Sequence, residues 1–194
     1  MSTINAVRGR TRYPGKIDER LLSPIVLAYT ANQYDGIFNY LGTNGGKQSF
    51  QNPTITLYPA SQSSTYSAGY EAYKATDHSI TTGGGENHTQ NYANSWWKVD
   101  FVGRSFLPNY IGIVGRTASG QHLRNWKVQG SNNDLDWTDL LIVTNAGPGN
   151  GTWFTQSILA SSTYRYLKIL QTGPNSNGQD YLCMGELEFW GYLY

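Results

Sequence analysis

From residue 24 onward, apolar and polar residues alternate in short runs that are separated by turn residues, which is the period of β-strands. The run WWKVDF at 96–101, for example, places Trp97, Val99 and Phe101 together on one face of a strand. Strands are predicted at 25–29, 54–58, 96–101, 111–113, 125–129, 140–144, 153–157, 166–170 and 186–192. A short helix is predicted at 68–76. Eight or nine short strands with turns between them predict an all-β fold, an antiparallel β-sandwich.

Four tryptophans stand out in this pattern because each alternates with polar neighbours. They are Trp97, Trp126, Trp137 and Trp190, and we expect all of them in the hydrophobic core.

Composition agrees with a strand-and-turn protein and excludes several classes. Among 194 residues, 14% are charged, and there are 22 glycines and 15 tyrosines. The formal net charge of +1 gives no field that would gather nucleic acid or an anionic membrane surface. A single cysteine, Cys183, cannot form an internal disulfide or a cysteine-based zinc site. No apolar run is long enough to cross a membrane, so we expect no membrane insertion.

Residues 1–22 differ from the rest of the chain. They contain five basic side chains against two acidic ones, and Pro14 followed by Gly15 interrupts any helix. We predict an extended basic arm at 1–22 and a sandwich domain at 23–194. The arm could dock on other subunits or lie along its own sandwich. The candidate docking residues are Arg8, Arg10, Arg12, Lys16 and Arg20.

The segment from Gly120 to Trp137, which includes LRNW at 123–126, resembles the signature of discoidin-like domains, also called coagulation factor 5/8 type C domains. Four other segments resemble the same family in the same order: Ala75–Asp77, Trp96–Phe101, Arg165–Ile169 and Gly185–Gly191. The resemblance implies a galactose-binding-like jelly roll in which loops at one end bind the ligand. Asn133 departs from the family's usual Asp-Gly turn, and the cysteine pair of secreted members is absent.

Three further segments are similar to the discoidin-like domains attached to some BTB and HECT proteins. These segments are 40–46, 51–53 and 171–175.

The sequence does not favour an enzyme. Neither the Gly-x-Ser-x-Gly nor the His-Glu-x-x-His pattern occurs. Three histidines, His78, His88 and His122, fall in polar loops and are interpreted as solvated side chains. Glu186 and Glu188 share one strand face at a spacing that suits local ion pairs better than a glycosidase pair.

Related sugar-binding modules hold calcium between the loop at 75–77 and the last strand. The resemblance therefore implies a structural calcium ion on Asp77, Thr82 and Glu186, whose oxygen atoms suit this metal. The alternative is a loop that is held by side-chain hydrogen bonds alone.

The loops at 116–122 and 173–181 are the candidate ligand site, because they combine amides, hydroxyls and glycines with an aromatic ring. Sugars need hydrogen-bonding groups beside an aromatic face, and His122 or Tyr181 could supply that face. The candidate ligand-binding residues are Arg116, Gln121, His122, Asn175, Asn177, Gln179 and Tyr181.

These observations predict a non-catalytic module that displays loops to a glycan or another polar surface. A chain of this kind would suit a multicopy or homo-oligomeric subunit of a virion fibre, baseplate or capsid decoration, docked by its arm. The alternatives are an intracellular protein-interaction module and a stand-alone lectin-like domain. Because the first residues contain no apolar leader, a virion or cytoplasmic location is expected over classical secretion.

Overall fold

A computed structural model describes residues 23–31, 34–80, 85–118 and 120–194 of the chain. The predicted arm at 1–22 and the predicted calcium ligand Thr82 lie outside the described residues, and both expectations stay predictions.

The described residues form short strands and two short helices. The strands are β1 Ile25–Leu27, β2 Ala60–Gln62, β3 Asn87–His88, β4 Trp96–Asp100, β5 Phe106–Val114, β6 Trp126–Ser131, β7 Thr138–Val143, β8 Trp153–Ser157, β9 Tyr166–Gln171, β10 Cys183–Met184 and β11 Glu186–Leu193. The helices are α1 Ile37–Gly42 and a 3-10 helix at Ala72–Thr76. None of the described helices is long and apolar enough to cross a membrane.

Two main sheets make up the sandwich. The first has the order β1-β11-β5-β8, the second has the order β2-β4-β9-β6-β7, and β3 pairs with β10 beside them. Every pairing of these strands is antiparallel. The predicted all-β, antiparallel sandwich is therefore confirmed.

The core lies between the inner faces of the two sheets. Trp97 and Val99 of β4 pair with Ile169 and Leu167 of β9, and all four side chains are fully buried. Their polar neighbours along β4 are only half-buried, so the alternation read from the sequence is confirmed. Burial of side chains of this size stabilises the fold by roughly 1.5–3 kcal/mol each.

The strand predicted at 54–58 is wrong, because this segment forms a turn. The side chain of Asn52 accepts the N–H of Thr54 at 2.9 Å, and the N–H of Tyr58 donates to the carbonyl of Pro53 at 2.9 Å. An asparagine that bonds the backbone two residues ahead favours a turn over a strand.

The helix predicted at 68–76 is reduced to the 3-10 turn at its end, and α1 was not predicted. The Glu188 carboxylate accepts the N–H groups of Phe38 and Asn39 at 2.8 and 3.2 Å. A helix that is held at its first turn by a residue 150 positions away leaves no capping signal in its own sequence.

The predicted core position of Trp137 is also wrong, whereas Trp97, Trp126 and Trp190 are fully buried as predicted. Trp137 is half-buried on the second sheet, where the Lys168 ammonium lies 3.7 Å from its ring centroid. A lysine and a tryptophan that are distant in the sequence can pack against each other at the surface, which the alternation alone does not reveal.

Candidate functional site

The two loops that the sequence singled out lie against each other. The N–H of His122 donates to the Ser176 hydroxyl at 3.1 Å, and the N–H of Ser176 donates to the carbonyl of His122 at 2.9 Å. The Gln121 amide donates to the Gln179 side-chain oxygen at 3.2 Å. The exposed Asn177 side chain packs over Gly120 at the same junction.

Asn175 holds this junction together and is not presented to solvent. Its side chain donates to the carbonyl of Tyr181 at 3.1 Å and accepts the N–H groups of Asn177 and Gln179 at 3.0 and 3.2 Å. Only 5% of the residue is exposed. A buried side chain whose oxygen and amide group are bonded inside the loop shapes the loop and is not presented to a ligand, which corrects the expectation for Asn175.

His122 is likewise buried, at 6% exposure, and its Nε2 lies 3.3 Å from the carbonyl oxygen of Arg116. The ring therefore offers no face on which a ligand could stack, which corrects the expectation for this residue.

Arg116 anchors the first of the two loops. Its guanidinium lies 3.1 Å from a carboxylate oxygen of Glu86, and the two side chains are 14% and 2% exposed. It also donates to the Gln121 side-chain oxygen. A buried charge pair of this kind is costly to break, so we assign Arg116 chiefly to holding the loops in position.

His88 sits at the centre of an aromatic cluster beside these loops. Its ring centroid lies 4.7 Å from that of Tyr66, 4.9 Å from that of Tyr181 and 5.5 Å from that of Tyr70. Burial lowers the pKa of His88, so the imidazole is neutral, and Nδ1 donates to the Thr89 carbonyl at 2.7 Å. The expectation of a solvated histidine is wrong for His88, because its ring is buried and packs against the tyrosines around it.

His78 departs from the same expectation. Its ring stacks on Phe50 at 3.7 Å between centroids and lies 4.7 Å from Tyr34, and burial lowers its pKa to about 4. It is a neutral packing residue at neutral pH.

A cleft of about 490 Å³ opens next to the aromatic cluster, and we call it the apical cleft. Two of its tyrosines are well exposed, Tyr66 at 51% and Tyr92 at 61%. Its lining residues are Tyr66, Ser67, Gln90, Asn91, Tyr92 and Tyr181. Phenol rings beside amide and hydroxyl groups can stack on an apolar ring face and hydrogen-bond to the hydroxyls around it.

Tyr181 is the predicted ligand residue that lines the apical cleft. Gln121 and Gln179 are hydrogen-bonded to each other and do not line the cleft. The other lining residues were missed, although tyrosine among amides and hydroxyls, at 63–70 and 89–94, is the same signal that selected the loop at 173–181.

At the first residues of β11, two carboxylates are forced together. Both Asp77 and Glu186 accept the N–H of Ser79, at 3.0 and 2.7 Å. Burial followed by the nearby charge of Asp77 raises the pKa of Glu186 to about 10, and burial raises the pKa of Asp77. The second carboxylate oxygen of Glu186 is buried without a hydrogen-bond partner among the described residues.

This carboxylate pair fits a calcium ion. Calcium prefers oxygen ligands, and it would take the place of the proton that burial and the charge of Asp77 hold on Glu186 at neutral pH. Within the described ranges, which omit residues 81–84, no third His, Cys, Asp or Glu joins the pair.

A family model described as the F5/8 type C domain matches residues 59–186, which is more than half of the chain. The chain belongs to the F5/8 type C domain family. This F5/8 type C domain is 24% identical over 170 residues to a BTB/POZ domain-containing protein of Arabidopsis thaliana. It is 27% identical over 168 residues to the E3 ubiquitin-protein ligase Ufd4 of Drosophila melanogaster. The predicted similarity to BTB and HECT relatives is thereby confirmed.

The matches cover 82% and 81% of this F5/8 type C domain but only 21% of the plant protein and 6% of the fly protein. Among solved structures, a chitosan-binding module of a Paenibacillus sp. chitosanase/glucanase superposes with a TM-score of 0.56 at 24% identity. That superposition covers 69% of the present chain and 95% of the module. A Streptococcus pneumoniae fucose binding module gives a TM-score of 0.56 at 24% identity over 70% of this chain and 92% of its own. These likenesses show the fold.

Proposed function

We propose that this F5/8 type C domain is a non-catalytic glycan-binding module and that the apical cleft is its binding site. The observation that carries the proposal is the cleft itself, in which Tyr66, Tyr92 and Tyr181 flank the amides of Gln90 and Asn91. Aromatic side chains bind the apolar face of a pyranose ring, and the amides offer paired donors and acceptors to its hydroxyls.

The cleft is suited to binding more than to chemistry. Its lining side chains carry phenol, hydroxyl and amide groups, which bind a sugar without the acid and base pair that glycoside hydrolysis needs. His88, the nearest imidazole, is buried and bonded to Thr89. The likeness to modules described as chitosan-binding and fucose binding supports a saccharide as the ligand class.

We assign a calcium ion to the carboxylates of Asp77 and Glu186 as a structural component of the module. The ion would hold the segment after the 3-10 helix to the first residue of β11. The proposal keeps Thr82 as the predicted third ligand, and this residue lies outside the described residues.

The central test is a glycan array probed with the biotinylated chain on streptavidin, since single sugar sites are weak and four copies raise the apparent affinity. We expect the wild type to bind, and Tyr66→Ala and Tyr181→Ala each to weaken binding about tenfold by removing one stacking surface. Tyr194→Ala, at an exposed aromatic residue at the end of the chain, is the matched control and should bind normally. Binding that survives both cleft variants would place the site elsewhere.

A second candidate is a protein-interaction module inside a larger protein, which is favoured by the similarity to a BTB protein and to ubiquitin ligases. An array without any bound glycan, together with a correctly folded chain, would favour this candidate.

We further propose that residues 1–22 attach the module to other subunits, as expected of a decoration of a virion or another assembly. Removal of these residues should leave the sandwich folded and abolish oligomer formation, measured by light scattering after gel filtration. A truncated chain that keeps the oligomeric state, or that melts more than about 10 °C lower, would contradict the proposal.

A further inference from the structure

A second cleft of about 240 Å³ lies on the outward face of the second sheet, and we call it the sheet cleft. Its lining residues are Trp96, Lys98, Asp134, Trp137 and Lys168. It shares no lining residue with the apical cleft, so a ligand bound there would be independent of the proposed glycan site.

The two lysines of the sheet cleft face each other directly across paired strands, Lys98 on β4 and Lys168 on β9. Like charges in that position destabilise a sheet unless something compensates them. Lys98 is compensated by Asp134, whose carboxylate oxygens lie 2.6 and 2.8 Å from its ammonium nitrogen. Among the described residues, Lys168 has no carboxylate within 4.0 Å.

Lys168 is held in place by an aromatic ring and not by an acid. Its ammonium lies 3.7 Å from the centroid of Trp137, and the ammonium of Lys98 lies 5.3 Å from that of Trp96. Burial lowers the pKa of Lys168, the charges of Asp134 and Asp139 oppose this shift, and the charges of Lys98 and Lys127 add to it. A pre-positioned cation without a direct ion pair can bind an anion without first losing side-chain freedom.

The position and the charge pattern of the sheet cleft exclude two kinds of polymer, an added peptide strand and a nucleic acid. Because β9 lies between β4 and β6, the backbone groups beneath the cleft are used in sheet pairing and cannot bind an added peptide strand. Asp134, Asp139 and Asp100 alternate with the lysines and Arg165 on this face, so it lacks the continuous positive charge that nucleic acid needs.

We propose that the sheet cleft is a second binding site, specific for an anionic sugar residue whose carboxylate or sulfate group pairs with Lys168. The apolar edges of Trp96 and Trp137 contact the sugar ring, and the Asp134 carboxylate accepts one of its hydroxyls. One sugar ring fits a cleft of about 240 Å³, whereas the neighbouring aspartates would repel the further charges of a longer polyanion.

Calorimetric titration of the full chain with trigalacturonate, with its methyl-esterified and uncharged counterpart, and with a sulfated heparin disaccharide tests the proposal. We expect trigalacturonate, the sulfated disaccharide or both to bind, and the methyl ester to bind at least tenfold more weakly. The two anionic arms distinguish a carboxylate from a sulfate. Equal binding of the methyl ester, or no binding of either anion at millimolar concentration, would overturn the proposal.

Variants locate the binding. Lys168→Met replaces the lysine with an unbranched apolar side chain and removes the charge, and it should weaken anion binding at least tenfold. Lys127→Met, at a lysine on the same face that is paired with Asp139 and does not line the cleft, is the matched control and should change binding less than twofold. Equal loss in both variants would show a diffuse charge effect and overturn the proposal.

Two further measurements separate this site from its competitors. Tyr181→Ala should leave anion binding unchanged, and its loss would assign the anion to the apical cleft instead. A glutamate-rich peptide or a single-stranded oligonucleotide that binds more tightly than the sugars, and does so through Lys168, would also overturn the proposal.

Discussion

At the scale of single residues, Trp126 shows how burial and a hydrogen bond combine. The side chain is fully buried, and its indole N–H donates to the carbonyl of Ala146 at 3.1 Å. Its alternation with polar neighbours predicted this position correctly. The same pattern failed for Trp137 because the ammonium of Lys168 covers the ring in place of the core. Periodicity thus predicts which face a side chain occupies but not what lies on that face.

Trp126→Ala should lower the free energy of unfolding by about 3–5 kcal/mol, because it leaves a cavity in the core and an unpaired carbonyl. Urea denaturation monitored by circular dichroism measures the change. Leu159→Ala, at a residue that is 91% exposed, is the control and should stay within about 0.5 kcal/mol of wild type. An unchanged midpoint for Trp126→Ala would mean that the register of β6 is wrong by one residue.

The carboxylate pair of Asp77 and Glu186 is expected to respond to calcium. Saturating calcium should raise the melting temperature of the wild type by about 5–10 °C at neutral pH, since an ion that binds only the folded chain stabilises it. Glu186→Gln keeps the shape of the side chain and removes a folding cost, because a carboxyl whose pKa is raised to about 10 must take up a proton when the chain folds at neutral pH. This variant should melt higher than the wild type in a chelator and should lose the calcium response.

Glu71→Gln neutralises a carboxylate on the same segment, outside the pair, and should keep the calcium response of the wild type. A wild-type melting temperature that is equal in calcium and in chelator would contradict the calcium proposal and favour the alternative, a loop that is held by hydrogen bonds alone.

At the scale of elements, the strands with a strict two-residue period were predicted and the irregular pieces were not. β8 was predicted with its observed bounds, and β9 differs by one residue at its end. β3 and β10 have two residues each, too few to show a period, and α1 depends on the distant Glu188. On β11 the alternation itself is hidden, because Glu186 and Glu188 are buried along with Leu187 and Phe189. In a strand that is buried on both faces, a polar residue does not mark the solvent-exposed face, so the alternation gives the wrong burial for Glu186 and Glu188.

The bulge between Trp190 and Gly191 gives β11 its register against β5. Gly191 has a φ of 149°, and a Cβ atom there would collide with the carbonyl oxygen of Leu107. Gly191→Ala should therefore destabilise the domain by more than about 2 kcal/mol, through backbone strain and the collision together.

Gly103→Ala is the matched control, because Gly103 also has a positive φ, 71°, but no atom near its missing Cβ. It should cost only about 1–2 kcal/mol of backbone strain. Thermal unfolding of both variants makes the comparison, and equal losses would show that the close approach to Leu107 is not important.

At the scale of the whole molecule, the candidate site is assembled from loops that are far apart in the chain. Tyr66, Tyr92 and Tyr181 follow different strands and meet because β3 pairs with β10. The sequence could select the loop at 173–181 by its composition. It could not show that residues near 66 and 92 complete the cleft, since that depends on the pairing of two very short strands. The family resemblance predicted that the site lies at one end of the sandwich, and the structure identified the residues that line the apical cleft.

The central claim is that the apical cleft binds a glycan, and an NMR titration tests it most directly. The ¹⁵N-labelled chain is titrated with the glycan that gives the strongest array signal. The account predicts that the largest amide shifts fall at Tyr66, Ser67, Gln90, Asn91, Tyr92 and Tyr181, and that Tyr66→Ala reduces them. Shifts that avoid these residues, or the absence of any glycan that shifts them, would contradict it.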